Sequence, residues 1–544
     1  MIKKFTYILT IFALVLTNTG IFSTLKINAA AHDIDVTDSL TINYENTNDY
    51  VTVLDQYSIN INNTQYYYRP GIELSFILPN YANTKTLSDS SFKLKNLDIR
   101  DIYGQKVSYT TSVGTQGINI TVTIGQRISN GNPYTLKISY KTHELIGING
   151  NIKNIYIPGL PKDTKFEDKQ SGFNLTYGYT YEARVITDSQ TPAPTYVQPS
   201  NMTITKEQNR TIYSINAKDR LGKSGWLQLG NAQYYYFKIE DVTPKTDNIT
   251  PTTVSNITKL ASTNVYRLML PRELDETKQK VFIKEITPAP KKITRDDEGN
   301  LIAVIDVPAN IESKITVEGY IQESKEELTK QLQLPEISIQ KYLDSVKNMP
   351  SYSTYISAEK YWEVNDPVIQ NAAKDIKSKL TTDSIKDLLT ADYKYIIDKF
   401  NYSYDKINNG NERLGAKAAL LGSQTICMEY SDALTAILRA QGIPSRIAIG
   451  YGNDPFGTEN LISNDKPLEQ RIGHQWTQVW IPDYGWLSLD PTWGESQRTY
   501  IGSDLDHILL YAVGNDKENV SDVLLYTADN SAQINLNNYK FFLQ

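Results

Sequence analysis

The 544-residue chain changes its hydrophobic period near Glu323, and that change restricts its possible folds more than any other feature. From His32 to about Ile321 apolar and polar residues alternate, and from near Glu323 the apolar ones recur at helical spacing. Alternation puts one face of a strand into a core, and the longer spacing does the same for a helix. The clearest alternating runs are Ile72 to Leu78, Ile118 to Ile124 and Thr135 to Tyr140. Asn130-Gly131-Asn132-Pro133 and Gly147-Ile148-Asn149-Gly150 supply turns beside them. Short strands with no helical stripe predict an all-β, sandwich-like domain over 32–243. The 38 tyrosines suit such half-buried pleated surfaces. A polar stretch from Thr243 to Thr258 reads as a linker or a long loop, and 244–322 reads as a second β region. Its strands are Val281 to Ile286, Leu301 to Val307 and Lys314 to Ile321. Asp297-Glu298-Gly299-Asn300 makes a hairpin turn there, without the alternating oxygen ligands of a calcium loop.

The remainder, 323–544, reads as a helical lead-in followed by mixed α and β structure. Asp366-Pro367 is a helix start, with a capping carboxylate and a proline where no amide donor is needed. Val368, Ile369, Ala372, Ala373, Ile376 and Leu380 follow on one face. A second helix from about Asp383 carries Ile385, Leu388, Leu389, Tyr393, Ile396, Ile397 and Phe400.

At the N-terminus, Lys3 and Lys4 precede an apolar stretch from Phe5 to Leu16, and Ala29-Ala30-Ala31 is a small-residue cleavage site. Residues 1–31 therefore read as a signal peptide, with an uncleaved anchor as the alternative. The apolar stretch is short of the ~20 residues that span a bilayer, so no stable membrane span is expected once it is removed. The expected location is secreted or on the extracellular surface. A net charge of −6 leaves no electrostatic footprint for nucleic acid. One cysteine and four histidines exclude a disulfide framework and a thiolate-rich zinc site. An exported chain with a solitary thiol keeps it as a buried leftover or for its reactivity.

Cys427 opens a helix, with capping-type Ser423 and Thr425 before it, an apolar stripe through Tyr430, Leu434, Ile437 and Leu438, and Gly442 and Pro444 at its end. Unpaired N–H groups in a first helical turn stabilise negative charge on a thiol, and equally on an oxyanion. The competing reading makes Cys427 the first buried residue of the stripe. Gly473-His474-Gln475-Trp476-Thr477-Gln478-Val479-Trp480 alternates as a strand, and a turn near Pro482 leads into Trp486 to Asp490. A hairpin symmetric about Pro482 sets His474 directly opposite Asp490, with Cβ atoms about 5 Å apart. A slip of one residue would put them on opposite faces. A thiol nucleophile needs a base and an orienter for that base, and Cys427, His474 and Asp490 supply all three.

The blocks Gly422-Ser-Gln-Thr-Ile-Cys427-Met-Glu-Tyr, Gly442-Ile-Pro-Ser-Arg446, Gly450-Tyr451, Gly473-His474-Gln-Trp476 and Asp490-Pro-Thr-Trp493 resemble the core of the transglutaminase-like superfamily. The resemblance runs from about Asp366 to Gly514. It implies an α+β, papain-like transglutaminase core over the last part of a multidomain chain, with catalysis by Cys427, His474 and Asp490. Thr425-Ile426 departs from the small residues that relatives often carry before the cysteine. Gln424 reads either as an oxyanion donor or as a solvated loop residue, and Trp476 and Trp493 read as pocket walls or core packing.

Three functions are compatible with this reading. The first is a thiol acyltransferase cross-linking proteins or peptides of the cell surface or wall through a Cys427 thioester. The second is a cysteine protease or amidase with the same triad. The third is a surface adhesin or scaffold whose triad is vestigial. The acidic loop with Asp454, Glu459 and Asp465 lacks the spacing of a cation cage, so neither a metal nor a cofactor is expected.

Overall fold

The computed structural model describes residues 32–46, 48–79, 95–114, 117–159, 175–199, 201–217, 225–243, 263–274, 278–308, 311–325, 334–409, 412–452, 473–494, 499–502, 505, 507–515 and 539–543. The signal-peptide segment, the stretch 244–258 and the loop with Asp454, Glu459 and Asp465 lie outside them. The chain divides into two compact units: 1–145, 157–190 and 201–224 form one, and 146–156, 191–200 and 225–544 form the other.

The first unit is built of strands, as the alternation requires. A seven-stranded sheet runs in the order Thr203–Glu207, Arg210–Ala217, Tyr177–Asp188, Ile34–Tyr44, Val51–Ile61, Tyr134–Thr142 and Lys95–Asp101. Ile34–Tyr44 pairs parallel with Tyr177–Asp188 and antiparallel with Val51–Ile61. Along Val51–Ile61, Val51, Val53, Asp55, Tyr57, Ile59 and Ile61 are buried while the residues alternating with them are not. Asp55 interrupts this apolar row and Asp38 the buried face of Ile34–Tyr44, and burial together with their mutual contact pushes the Asp38 carboxyl well above its ordinary range. Glu73–Pro79, Gly117–Thr123 and Tyr109–Gly114 make a separate three-stranded sheet.

In the second unit, Ala232–Thr243 pairs along its whole length with Ser313–Ser324 and on its other side with Tyr539–Leu543. A boundary at 243, as read from the sequence, thus falls at the end of a strand whose partners lie 70 and 300 residues later. Alternation identifies the buried face of a strand but not the strand it pairs with. The expected strands over 281–286, 301–307 and 314–321 are found as Gln279–Thr287, Leu301–Pro308 and Ser313–Ser324. Glu298 in the acidic turn pairs with Arg446 at 3.1 Å and accepts from the Tyr355 hydroxyl, so the turn is a structural tie.

Helix α1, Pro367–Ser378, starts at Asp366, whose carboxylate accepts from the Val368 N–H at 2.9 Å. Helix α2, Ile385–Lys399, is capped by Ser384. Helix α3, Cys427–Ala440, is buried along nearly its whole length. It packs on a four-stranded antiparallel sheet of β1 Ser445–Gly452, β2 Gly473–Ile481, β3 Gly485–Leu489 and β4 His507–Val513, in the order β3-β2-β1-β4. Between β3 and β4 lies the single turn α4, Pro491–Gly494.

Buried charges fix α3 in place. Asp432 takes the Arg413 guanidinium at 2.8 Å and the Trp362 indole N–H at 2.8 Å. Arg439 donates to the carbonyls of Ser357, Ser445 and Gly514. On α2, Asp392 is fully buried and accepts from Gln441 Nε2 at 2.8 Å, while its own Oδ2 and Gln441 Oε1 have no partner among the described residues. Burial pushes the Asp392 carboxyl up to about 7, the Gln441 hydrogen bond only partly opposing it. A proton on Oδ2 gives that oxygen a hydrogen to donate.

The folded-state value lies above the unfolded one, so Asp392 costs stability progressively as pH rises from about 4 to about 7. An Asp392→Asn protein, which carries its own donor, should melt a few degrees higher than wild type at pH 7 and equally at pH 4. Thermal melts across that range check this, and a gap independent of pH would contradict it.

Candidate active site

The loop into α3 is held by Glu429. Its carboxylate accepts from the N–H of Ile426 at 3.1 Å and of Leu414 at 2.9 Å, and pairs with Lys406 at 2.7 Å, all out of water. The helix N-cap is Ile426, which offers no side-chain acceptor; Glu429, three residues on, supplies it. Thr425, a capping candidate from the sequence, donates its hydroxyl to Asn401 O instead. Cys427 thus takes the first helical position and is 9% exposed.

The β2–β3 hairpin pairs Thr477 with Leu489, Val479 with Leu487 and Ile481 with Gly485. Its centre is therefore Asp483, one residue beyond the Pro482 expected from the sequence. Pro482, Asp483 and Tyr484 form a three-residue loop in which Asp483 takes φ 65° and Gly485 φ 94°. The shift displaces every pairing by two residues, so Asp490 comes level with Trp476 and not with His474. A shift of two preserves the face. His474 and Asp490 still share one side, and the longer reach is closed by the side chains: His474 Nε2 lies 2.9 Å from Asp490 Oδ2.

Asp490 is held from every direction. Its N–H donates to Tyr500 O, its carbonyl accepts from the Tyr393 hydroxyl at 3.0 Å, and its Oδ1 accepts from the Thr492 N–H at 2.9 Å. Oδ2 also meets His507 Nε2 at 3.1 Å. Burial alone would raise the Asp490 carboxyl, but the charge and hydrogen bond of His474, with His507 behind it, hold it well below the usual carboxylate range. An ionised carboxylate only accepts, so both Nε2 atoms donate to it.

That assignment leaves Nδ1 of His474 to face away from Asp490, and the Cys427 side chain acts on the ring as a second favourable neighbour. Burial disfavours the charged ring, yet Asp490 and then Cys427 more than compensate and raise His474 to about 9. The residues between fasten the strand to the helix: Gln475 Nε2 donates to Ser431 Oγ at 2.9 Å, and the Thr477 hydroxyl donates to Ser431 O at 3.0 Å.

Of the four tryptophans in this region, two surround the imidazole. Trp493 stacks on His474 at 5.0 Å between centroids and Trp476 at 5.9 Å, both within 25° of parallel. Trp480 and Trp486 pack edge to face across the hairpin, with Arg446 4.2 Å over Trp486. Gly452 makes room for Trp493, since a Cβ there would lie 2.2 Å from the indole. Gln424 is exposed and lines an open hollow of about 730 Å³ with Asn401, Tyr402 and Tyr404.

His507 escaped the sequence reading. One of only four histidines, at the start of an apolar strand, it was the available signal. One nitrogen of its ring, one of His474 and one Asp490 oxygen lie within 4.8 Å of one another, near enough to share an ion. Each nitrogen already sits at hydrogen-bond distance from that oxygen, so the cluster is satisfied by protons.

Residues 370–491 match the family model of the transglutaminase-like superfamily. This segment is a transglutaminase-like core. The chain is 33% identical over 99 residues to a protein-glutamine gamma-glutamyltransferase of Pseudomonas aeruginosa, covering 18% of this chain and 14% of that one. It is 23% identical over 158 residues to the uncharacterized protein YebA of Bacillus subtilis, covering 28% and 21%. The chain thus spans a quarter or less of the length of these curated relatives. Among solved structures, the periplasmic domain of TgpA from Pseudomonas aeruginosa bound to ethylmercury is 14% identical, covering 48% of this chain and 91% of that one at a TM-score of 0.23. At that score the likeness bears on neither fold nor activity.

In the transglutaminase-like core, NMR titration of the His474 ring should give a midpoint near 9. In Asp490→Asn the favourable charge is gone while the burial stays, so the midpoint should fall by about 1–3 pH units. A midpoint unmoved by that change would contradict the electrostatic account.

Proposed function

We propose that Cys427, His474 and Asp490 form a catalytic triad for acyl transfer from the carboxamide of a protein-bound glutamine to an amine. The observation that carries this reading is the imidazole bonded at 2.9 Å to a buried, ionised carboxylate and acted on by the Cys427 side chain as well. A ring raised to about 9 keeps a proton at neutral pH and faces the sulfur, so that it can receive or return the proton of the thiol chemistry.

In the forward step the Cys427 sulfur attacks the carboxamide carbon. The C–N bond breaks, ammonia leaves with the proton held by His474, and a thioester remains on Cys427. An amine nitrogen then attacks the thioester, gives its proton to His474 and releases the sulfur, leaving a new amide. Water in place of the amine yields glutamate or a cut peptide, which is the hydrolase outcome. Backbone N–H groups of the first turn of α3 are placed to bind the oxyanion. Asp490 orients the imidazole and stabilises its charge. The similarity to the protein-glutamine gamma-glutamyltransferase of Pseudomonas aeruginosa supports acyl transfer to an amine over hydrolysis.

The substrates we infer are proteins or peptides of the cell surface. The basic and apolar N-terminal segment with its small-residue site supports export. The strand-rich first unit is proposed to be a sandwich that presents the core or binds a partner.

Incubating the protein with a glutamine-containing peptide and a labelled primary amine separates the readings. Amine incorporation that disappears in Cys427→Ala and drops by a factor of at least ~10² in His474→Ala is expected. Hydrolysis without incorporation would replace acyl transfer by the hydrolase reading, and neither product would remove both.

A further inference from the structure

We propose that His507 is a positioning residue for this reaction, holding the Asp490 oxygen that also serves His474. The proposal rests on the triad reading above. Three observations carry it. His507 Nε2 is 3.1 Å from the same Oδ2 that His474 meets at 2.9 Å, so one carboxylate oxygen is divided between two imidazoles. His507 is buried, and its ring is packed by Trp493 at 4.5 Å, Trp476 at 4.7 Å and Tyr500 at 5.9 Å, which leaves it little freedom to turn away. It also sits on β4, whereas His474 is on β2; the two lie on either side of β1, where Gly450 pairs with His474 and Gly452 with His507. The sheet thereby clamps Asp490 from a second strand.

The groups facing His507 define what it does. Asp490 approaches from the end of β3, His474 from β2 at 5.4 Å between ring centroids, and the Tyr500 ring from the segment after α4. Cys427 approaches from α3 through its contact with His474. Of these, Asp490 supplies the negative charge that does most to raise His474. A second donor on Oδ2 withdraws part of that charge from His474. His507 therefore limits how basic His474 becomes, so that the ring can release its proton to the leaving group as well as hold it. It also prevents Oδ2 from swinging, since Oδ1 is tied to the α4 backbone.

The test uses the full chain with His507→Phe, which keeps a ring among the aromatics but removes the donor, and His507→Gln, whose amide can restore it. The readouts are the NMR midpoint of His474 and the pH profile and kcat of amine incorporation. In His507→Phe the midpoint and the alkaline limb of the profile should both rise by about one pH unit, as expected for loss of one hydrogen bond to a charged group. kcat should fall roughly tenfold with KM little changed. His507→Gln should return the midpoint and the limb toward wild type. If the Phe protein does not fold, His507→Asn, whose amide is too short to reach Oδ2, takes its place with the same expectation. A midpoint unmoved by loss of the donor, or one that Gln does not restore, overturns the role of His507. Failure of His474→Ala to affect incorporation would overturn the triad reading instead, and the two results are distinguishable.

Discussion

One buried carboxylate oxygen, Asp490 Oδ2, sets the chemistry of the core. It accepts from two imidazoles at 2.9 and 3.1 Å while its partner oxygen caps α4. A charge this deep would ordinarily be neutralised, because desolvation penalises it heavily. Here the donors outweigh that penalty, and the carboxyl is held ionised far below its usual range. The same charge raises His474 to about 9 and fixes which ring nitrogen faces Cys427. Without it the thiol would meet a neutral imidazole of undefined tautomer.

Placing that oxygen requires much of the second unit. The α3 helix must deliver Cys427 to a particular point, and buried ion pairs rather than apolar packing alone define its position: Glu429 with Lys406, Asp432 with Arg413. Such pairs gain little net stability, but each has one satisfied arrangement and so discriminates against slid or rotated helices. The sheet contributes in the same way, with Gln475 and Thr477 both bonded to Ser431 of α3. Gly452 is small because the Trp493 indole occupies the space its side chain would need.

What could be read in the sequence followed from local rules. The start of α1 at Asp366 and Pro367 was legible because an N-cap and a first-turn proline act on adjacent residues. The pairing of His474 with Asp490 was legible through parity: the hairpin centre moved from Pro482 to Asp483, a two-residue change in pairing, and the shared face survived. The cap of α3 was not, because Thr425 is drawn to Asn401 by tertiary contact and a glutamate within the helix replaces it. Nor was His507, which reaches Asp490 only through the order β3-β2-β1-β4. The division of the chain was obscured for the same reason. Ala232–Thr243 alternates like the strands before it, yet pairs with strands far downstream.

The central claim is that a proton-accepting ring activates Cys427. It is tested most directly by the rate at which iodoacetamide alkylates that cysteine at neutral pH, followed by mass spectrometry in wild type and in His474→Ala. As Cys427 is the chain's single cysteine, the adduct is unambiguous. A rate at least roughly tenfold slower without the imidazole is what a thiolate held by His474 requires. Equal rates in the two proteins would mean that the sulfur and the ring are neighbours without chemistry between them.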